Sequence, residues 1–478
     1  MRASPEDDPM SVEIRFFGAA RQVTGSRYLV SVGDESVMID CGLFQERALL
    51  DRNWNPSPAP VGTVRALLLT HAHIDHTGWV PRFVKLGYSG PIHATAPTVA
   101  LCDIMLRDSA RIQMEDAAYK RRRHRKEGRR GPHPEVPLYT DQDAAEALKL
   151  FRPVEYRTPV PITPRITAEW WDAGHILGSA MIHLRCRCAD RDRTIIFSGD
   201  IGRHDRPLLE DPSYFARADA VVMESTYGDR NHEPAGDVLQ QLEDHFRRTF
   251  ARGGKVIIPV FAVERAQELL YYISRLVRRH RLPTIPIFLD SPMAIDVTDV
   301  FRRFRNWMDD ETRTLFADGE SPLRFPGLKM TRTTEESIAI NSVKTPCVIM
   351  ATAGMCNAGR IKHHLKHNIG RPENLILFVG YQAQGTLGRE IVDGKKTVRI
   401  HGRFYDVAAE IAQMHGFSGH ADRDGLLRWI THFRPTPRHL FLTHGEEGPM
   451  TSLRQAILER TGIRAAMPEY GARFVLTD

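Results

Sequence analysis

Two patterns alternate along the chain. Short apolar runs rich in β-branched residues, which read as buried strands, occupy positions 36–40, 64–70, 194–198, 220–224, 255–259, 285–290, 346–351, 375–380 and 439–443. Between several of them, apolar positions recur every three or four residues, as at 263–279 (VERAQELLYYISRLVRR), 293–303 and 449–460, and predict amphipathic helices. A strand, a turn and a helix follow one another at 256–279 and again at 285–303, so the chain is predicted to be an α/β protein. Five polar residues, Asp40, His71, Asp200, Glu224 and His444, stand at or just past the ends of these strands. Layered α/β folds gather ligands and reactive groups in the loops beyond strand ends, so the placement predicts one site assembled from distant segments.

Composition sharpens this picture. With 42% hydrophobic and 26% charged residues, the chain has the apolar content for packed cores, which excludes disordered, collagen-like and coiled-coil classes. At 478 residues it exceeds what one simple core holds and predicts two or three domains. No apolar stretch approaches the roughly 20 residues of a membrane helix, so no membrane partner is expected. The opening MRASPEDDPM has no basic region followed by an apolar core, so no signal peptide is expected. The six cysteines are scattered, the nearest pair being Cys186 and Cys188, and form no zinc-ribbon or disulfide framework; a reducing, cytoplasmic setting is expected.

The net charge of +6 is local in origin. Positions 120–130 (KRRRHRKEGRR) hold eight Lys or Arg against one Glu, a local +7, and subtracting that from +6 leaves the remainder near −1. Gly128, Gly131, Pro132, Pro134 and Pro137 follow closely, so the run reads as an exposed excursion from a helix, either a solvated basic loop or an arm that tracks phosphates.

Metal-binding chemistry concentrates at Thr70-His71-Ala72-His73-Ile74-Asp75-His76. Imidazole and carboxylate are the ligands that zinc and similar ions take. In an extended turn, side chains two residues apart point the same way, so His71 and His73 are placed to clasp one ion, and Asp75 and His76 on the next bend to serve a second. A solvent-facing His-rich turn is the alternative. His175 lies between glycines in Ala173-Gly174-His175-Ile176-Leu177-Gly178-Ser179, and Asp200 ends the run TIIFSGD. Either one alone reads as structural. Their weight comes from the set, because two metals about 3.5–4 Å apart need a shared anionic ligand, which an Asp carboxylate supplies.

H-x-H-x-D-H followed by His175 and Asp200, with Asp40 upstream, resembles the metallo-β-lactamase superfamily. Glu224-Ser225-Thr226-Tyr227-Gly228, Phe417-Ser418-Gly419-His420-Ala421-Asp422 and Leu442-Thr443-His444-Gly445-Glu446 resemble motifs A, B and C of the β-CASP nucleases, which include the cleavage and polyadenylation specificity factor nuclease and ribonuclease J. Gly354-Met355-Cys356-Asn357-Ala358-Gly359-Arg360 and Gly380-Tyr381-Gln382-Ala383-Gln384-Gly385-Thr386 are similar to the inserted β-CASP domain of single-chain prokaryotic members. The resemblance covers nearly the whole chain.

It implies a four-layer αββα metallo-β-lactamase domain, in two parts at 1–227 and 400–478, interrupted by an inserted α/β β-CASP domain at 228–399. It implies two zinc ions per chain, one held by His71, His73 and His175, the other by Asp75, His76 and His444, with Asp200 bridging. Asp40 stands behind the ligands and, with Asp75, belongs to the catalytic set. His420 is implied as the general acid and Glu224 as the group that orients it. A His at motif C goes with RNA-cutting relatives and a Val with DNA-repair members such as Artemis, so His444 implies RNA. The implied reaction is hydrolysis of RNA phosphodiester bonds, leaving a 5′-phosphate and a 3′-hydroxyl, in RNA processing or decay; endonucleolytic and 5′-exonucleolytic modes both stay open, as does a homodimer.

Ser418, Gly354 and Arg360 are candidates for substrate contact, against a reading as ordinary turn and cap residues. Arg360, Lys362, His363, His364, Lys366 and His367 together read as a basic surface, and Trp170-Trp171 as core packing. Glu264 and Ala353 depart from the family pattern, in which Gly and Ser are common. Two other functions compete: a dinuclear hydrolase of small esters or thioesters, which has no use for the inserted domain or the Glu224–His420 pair, and a non-catalytic RNA-binding scaffold, in which metal ligands are lost.

Overall fold

The structure, a computed structural model, describes residues 11–476 apart from 58, 129, 132, 190, 234–235 and 284. The opening stretch behind the signal-peptide expectation, together with Arg129 and Pro132 of the basic region, therefore lies outside the described residues. The chain divides into two compact units, one built from the residues up to 204, 211–231 and those from 420 onward, the other from 205–210 and 232–419. Residues 400–419, which the sequence reading gives to the returning part, lie in the second unit.

In the first unit a seven-stranded sheet runs in the order Arg473–Leu476, Val12–Phe16, Tyr28–Val32, Glu35–Ile39, Val64–Leu68, Ile92–Thr95, Phe151–Val154. A six-stranded sheet runs His439–Thr443, Ala220–Glu224, Asp192–Phe197, Ala180–Arg187, Ile166–Asp172, Val160–Pro161. Their facing side chains, among them Phe16, Val30, Leu68, Trp170, Ile182, Phe197 and Phe441, form one fully buried core. The far face of the six-stranded sheet is covered by helices Arg423–Ile430 and Glu447–Thr461, through Leu427, Trp429, Leu453 and Ile457. The long helix Ala96–Glu127 packs against strands of the other sheet. Helix, sheet, sheet and helix thus form four layers, because each sheet has two apolar faces to cover. Ala220–Glu224 and His439–Thr443 pair in parallel, so segments about 220 residues apart end side by side.

The second unit carries a six-stranded, wholly parallel sheet in the order Leu328–Met330, Ile287–Asp290, Val348–Ala351, Val256–Pro259, Leu375–Phe378, Glu410–Gln413. The central strands are buried along their whole length, as apolar runs flanked by helices require. The helix predicted at 263–279 begins at Arg265 because Glu264 adopts φ 67° and ψ −56°, and Arg265 N–H bonds back to the Val263 carbonyl at 2.8 Å. That is a tight three-residue turn that glycine makes without strain, and Glu264 holds it beside the buried Arg206 guanidinium at 3.5 Å.

The stretch 360–367 corrects the expectation of a basic surface in part: His363, Lys366 and His367 are exposed, but Arg360 and His364 turn to a buried carboxylate. Helix Ile361–Asn368 buries Ile361, His364, Leu365 and Asn368, a spacing of three and four residues that turns His364 inward. His364 Nε2 lies 2.6 Å from Asp290 Oδ2, and Arg360 Nη1 donates to Asp290 Oδ1 at 2.7 Å. Hydroxyls of Thr331 and Ser337 donate to the same carboxylate. Burial alone raises the Asp290 pKa, but the bonds from His364, Ser337, Thr331 and Arg360 outweigh it and hold the carboxyl down at about 2. A folded-state pKa below the unfolded value contributes stability above the unfolded pKa, near 3.8, and loses it as the pH falls toward 2. Asp290→Ala, which strands His364 and Arg360, is expected to cost about 3–5 kcal/mol in urea unfolding near neutral pH, with the gap to the unaltered chain narrowing as the pH falls from about 4 toward 2.

Candidate metal centre

Local chemistry shapes each arm of the site. After strand Val64–Leu68 the chain stays extended through His71 and His73, then turns through the single helical turn Ile74–Thr77, closed by His76 N–H and Thr77 N–H on the His73 carbonyl. The turn is held from the next strand end. Cys41 N–H bonds to the His76 carbonyl at 2.7 Å and Leu43 N–H to the Ile74 carbonyl at 3.0 Å. Gly42 lies between these contacts, and a Cβ there would stand 1.6 Å from the Asp75 carbonyl oxygen. Gly202 does the same for the other arm: a Cβ would stand 1.8 Å from the Gly174 carbonyl oxygen, so only glycine lets the loop after Asp200 close on the loop of His175. Sequence reasoning passed over Gly42 and Gly202, since the need for them lies in backbone approach between remote segments.

Asp200 is the centre. Its Oδ2 lies 3.3 Å from His71 Nε2 and 3.5 Å from His175 Nε2, while its Oδ1 lies 3.3 Å from His76 Nε2 and 3.5 Å from His444 Nδ1. His73 Nδ1 is 3.1 Å from His71 Nε2 and 3.2 Å from His175 Nε2. His444 Nε2 is 3.3 Å from Asp75 Oδ2. Two ligand groups result, His71–His73–His175–Asp200 and Asp75–His76–His444, and a third cluster, Asp200–Glu224–His420, adjoins them; in each the ligand atoms lie within 4.8 Å of one another. Asp40 and His444 hold left-handed backbones at φ 56° and 49°, an uncommon setting for residues other than glycine. His71, His76, His175, Asp200 and His444 are buried; His73, Asp75 and His420 are partly exposed.

Electrostatics matches a cation site. Burial, joined by His76, lowers the His71 pKa to about 3; burial also depresses His73, against the pull of Asp75 and Asp200, and His175, where His420 adds to it. Those three rings are therefore neutral and turn lone pairs toward a common point. Burial pushes Asp75 and Asp200 upward, but the histidines beside them outweigh it and keep both ionised. Asp200 Oδ1 is buried without a hydrogen bond among the described residues, an arrangement that costs free energy unless a cation sits against it. The neutral rings of His71, His73 and His175 converging with ionised carboxylates fit divalent ions of the zinc type, while Asp200 and Asp40, against burial, raise the pKa of His76, whose Nε2 binds an ion only after giving up its proton.

Behind the ligands, Asp40 accepts hydrogen bonds from Thr70 N–H and Thr70 Oγ1, both at 2.8 Å, and lies 2.7 Å from His76 Nδ1. It thereby fixes the His76 ring so that Nε2 faces Asp200. Losing such a partner typically costs 10–100-fold in metal affinity. Asp40→Asn is expected to weaken ion retention by about that much with the melting temperature little changed, as a chelator titration followed by metal analysis will show.

Beside the cluster, His420 Nδ1 lies 3.1 Å from both oxygens of Glu224, and its Nε2 lies 3.9 Å from Asp200 Oδ2. Glu224 is oriented in turn by Ile201 N–H at 2.6 Å. Burial lowers the His420 pKa, but Glu224 and Asp200 outweigh it and raise the pKa to about 9, so the ring carries its proton near neutral pH. Thr226 Oγ1 lies 3.0 Å from His444 Nδ1 and holds that ring, a role the sequence reading did not give it.

Ser418, Gly354 and Arg360 belong to the second unit. The Arg360 guanidinium is engaged by Asp290 and by the Thr331 and Arg332 carbonyls, and a Cβ at Gly354 would stand 2.7 Å from the Phe261 ring. Trp170 is fully buried and donates to the Leu69 carbonyl, as a packing residue does.

Comparison with known proteins gives a consistent picture. The metallo-beta-lactamase superfamily model matches residues 21–259, the Beta-Casp domain 266–391, and the Zn-dependent metallo-hydrolase RNA specificity domain 405–468. The chain is 39% identical over 455 residues to Ribonuclease TTHA0252 of Thermus thermophilus, covering 95% of this chain and 98% of that one. It is 32% identical to Transcription termination factor FttA of Methanosarcina mazei, covering 95% of this chain and 70% of that one, and 33% identical to the factor of the same name from Methanocaldococcus jannaschii, covering 91% and 67%. A crystal structure of a protein of unknown function from Enterococcus faecalis V583 superposes with a TM-score of 0.57 at 12% identity, covering 97% of this chain and all of that one, a likeness of fold alone.

Proposed function

This chain belongs to the β-CASP ribonuclease family of the metallo-β-lactamase superfamily, and we propose that it holds two zinc ions and hydrolyses RNA phosphodiester bonds to leave 5′-phosphate and 3′-hydroxyl ends. The observation that carries the reading is the Asp200 carboxylate, with one oxygen toward His71 and His175 and the other toward His76 and His444. His71, His73 and His175 would hold one ion and Asp75, His76 and His444 the other, with Asp200 shared. Zinc bound there supplies Lewis acidity, lowering the pKa of water and offsetting charge on phosphoryl oxygens.

The rest of the reaction falls to the chain's own side chains. Asp75, kept ionised by His444 and His76, would hold its ion and accept a hydrogen bond from the attacking water. The departing 3′-oxygen needs a proton, and His420 Nε2–H is placed to deliver it, because Glu224 takes Nδ1 and fixes the ring. Asp40 and Thr226 orient His76 and His444. RNA as substrate is supported by His444 at motif C and by the name of the Thermus thermophilus relative. RNA processing in the cytoplasm belongs to the same reading. No helix of the described residues is long and apolar enough to cross a membrane.

The test is to incubate the chain with 5′- and 3′-labelled RNA, with and without chelator, count bound metal, and map the ends. Metal-dependent cuts carrying 5′-phosphates support the reading, and the pattern separates internal cutting from stepwise release of mononucleotides. Intact RNA beside a full metal complement favours an ester or thioester hydrolase, and intact RNA with fewer than two ions per chain favours a binding scaffold; either result overturns it.

A further inference from the structure

The basic run corrects its own first reading: the helix does not stop before it. Ala117 and Ala118 lead into Lys and Arg residues, all good helix formers, and helix Ala96–Glu127 continues through them to a left-handed Gly128. At its start, Thr95 and Thr98 hydroxyls donate to the Gly178 carbonyl at 2.6 and 2.9 Å, which roots the helix on the loop that carries His175. The first half is packed through Leu101, Cys102, Met105, Leu106 and Ala110, and beyond Ala110 only Ala117 is buried.

The two faces of the far half differ. Inward, Gln113 accepts from Leu138 N–H, Arg121 donates to the Glu135 carbonyl and His124 lies 2.5 Å from the Glu135 carboxylate, so this side is held by the chain that follows. Outward stand Tyr119, Arg122, Arg123 and Lys126, spaced by three, four and seven residues and hence on one face. Tyr119 is 57% exposed. Arg123 pairs with Glu127 at 2.7 Å, and Lys120 and Arg125 flank the face. Glu115 and Asp116, about one turn earlier, mark where the positive surface begins. The helix dipole favours cations in the last turn, but it does not account for an exposed aromatic ring among them. Arg122 and Lys126 repel at a spacing of four residues, a cost that a polyanion would remove.

We propose that Tyr119, Arg122, Arg123 and Lys126 form an exosite for single-stranded RNA, with the tyrosine ring stacking on a base and the cations contacting flanking phosphates. The proposal rests on the RNA-cutting reading and adds to it where a distal part of the substrate is held. Tyr119 lies 24 residues past Thr95, about 36 Å along the helix at 1.5 Å per residue. At about 3.4 Å per stacked nucleotide, roughly ten nucleotides span that distance, so hexamers fall short and longer RNA reaches.

The test compares the unaltered full chain with Tyr119→Ala, Tyr119→Phe and the triple Arg122→Gln/Arg123→Gln/Lys126→Gln. Binding of a fluorescent 30-nucleotide uridine-rich RNA is read by anisotropy in chelator at several salt concentrations, and cleavage of the 30-mer and of a hexamer is read with divalent metal. Tyr119→Ala and the triple variant are expected to weaken 30-mer binding about tenfold, the triple variant to lower the salt slope by about 2, Tyr119→Phe to bind as the unaltered chain does, and hexamer cleavage to stay the same in all. Unchanged affinity and slope overturn the exosite, and so does an equal loss on the hexamer. RNA binding that persists while poly-L-glutamate binding is lost assigns the face to an acidic protein and overturns it as well. Because binding is read without metal, a chain that cuts neither RNA overturns the nuclease reading while the anisotropy still decides the exosite.

Discussion

Asp200→Ala is expected to retain less divalent metal and to cut RNA about 10³–10⁴-fold more slowly than the unaltered chain, the loss that follows when several kcal/mol of transition-state charge stabilisation disappears. The size follows from position. Asp200 is 2% exposed, and its two oxygens approach four imidazoles from two different ligand groups. No neighbouring carboxylate can take its place, because Asp40 is committed to Thr70 and His76 and Glu224 to Ile201 and His420. Asp200→Asn keeps the volume and one oxygen, so it should retain part of the metal and fall between the two. Metal analysis with single-turnover rates checks both variants. Two retained ions and a rate within tenfold of normal in Asp200→Ala would remove the shared-ligand role.

His420→Ala is expected to retain its metal and to lose about 10²–10⁴-fold in kcat on RNA, the range a positioned general acid contributes. A second substrate separates proton delivery from mere support of the fold. Bis(p-nitrophenyl) phosphate expels a leaving group that departs without being protonated, so His420→Ala should hydrolyse it near the normal rate. Glu224→Gln keeps the acceptor for Ile201 N–H but removes the charge behind the imidazole, and a smaller loss on RNA is expected. If His420→Ala slows both substrates alike, the residue supports the site without supplying a proton.

Strands with both faces buried were legible in the sequence because their apolar runs are continuous: Ala220–Glu224 and His439–Thr443 have the predicted bounds, and Val348–Ala351 falls inside its predicted run. Strands that present one face to solvent were not. Ala180–Arg187 interleaves His183, Arg185 and Arg187 with its buried positions, and Val12–Phe16 does the same with Glu13 and Arg15. Strand-end placement predicted convergence for Asp40, His71, Asp200, Glu224 and His444, since such residues share one edge of a layered fold, whereas the grouping with His73, Asp75, His76 and His175 rested on the H-x-H-x-D-H spacing and the family resemblance. What sets their geometry was hidden. Gly42 and Gly202 act through backbone approach and Thr226 through a hydroxyl; in the second unit, the helical phase that buries His364 was likewise concealed by a list of basic residues.

The parallel pairing of Ala220–Glu224 with His439–Thr443 also fixes an order of events during synthesis. About 220 residues separate Glu224 from His444, and at 5–20 residues per second a ribosome needs roughly 10–40 s to add them. For most of that interval, until residue 420 is added, the nascent polypeptide holds six of the seven proposed ligand side chains and has neither His420 nor His444. On the proposed reading, a half-made copy lacks both a metal ligand and the proton donor and is not expected to cut RNA.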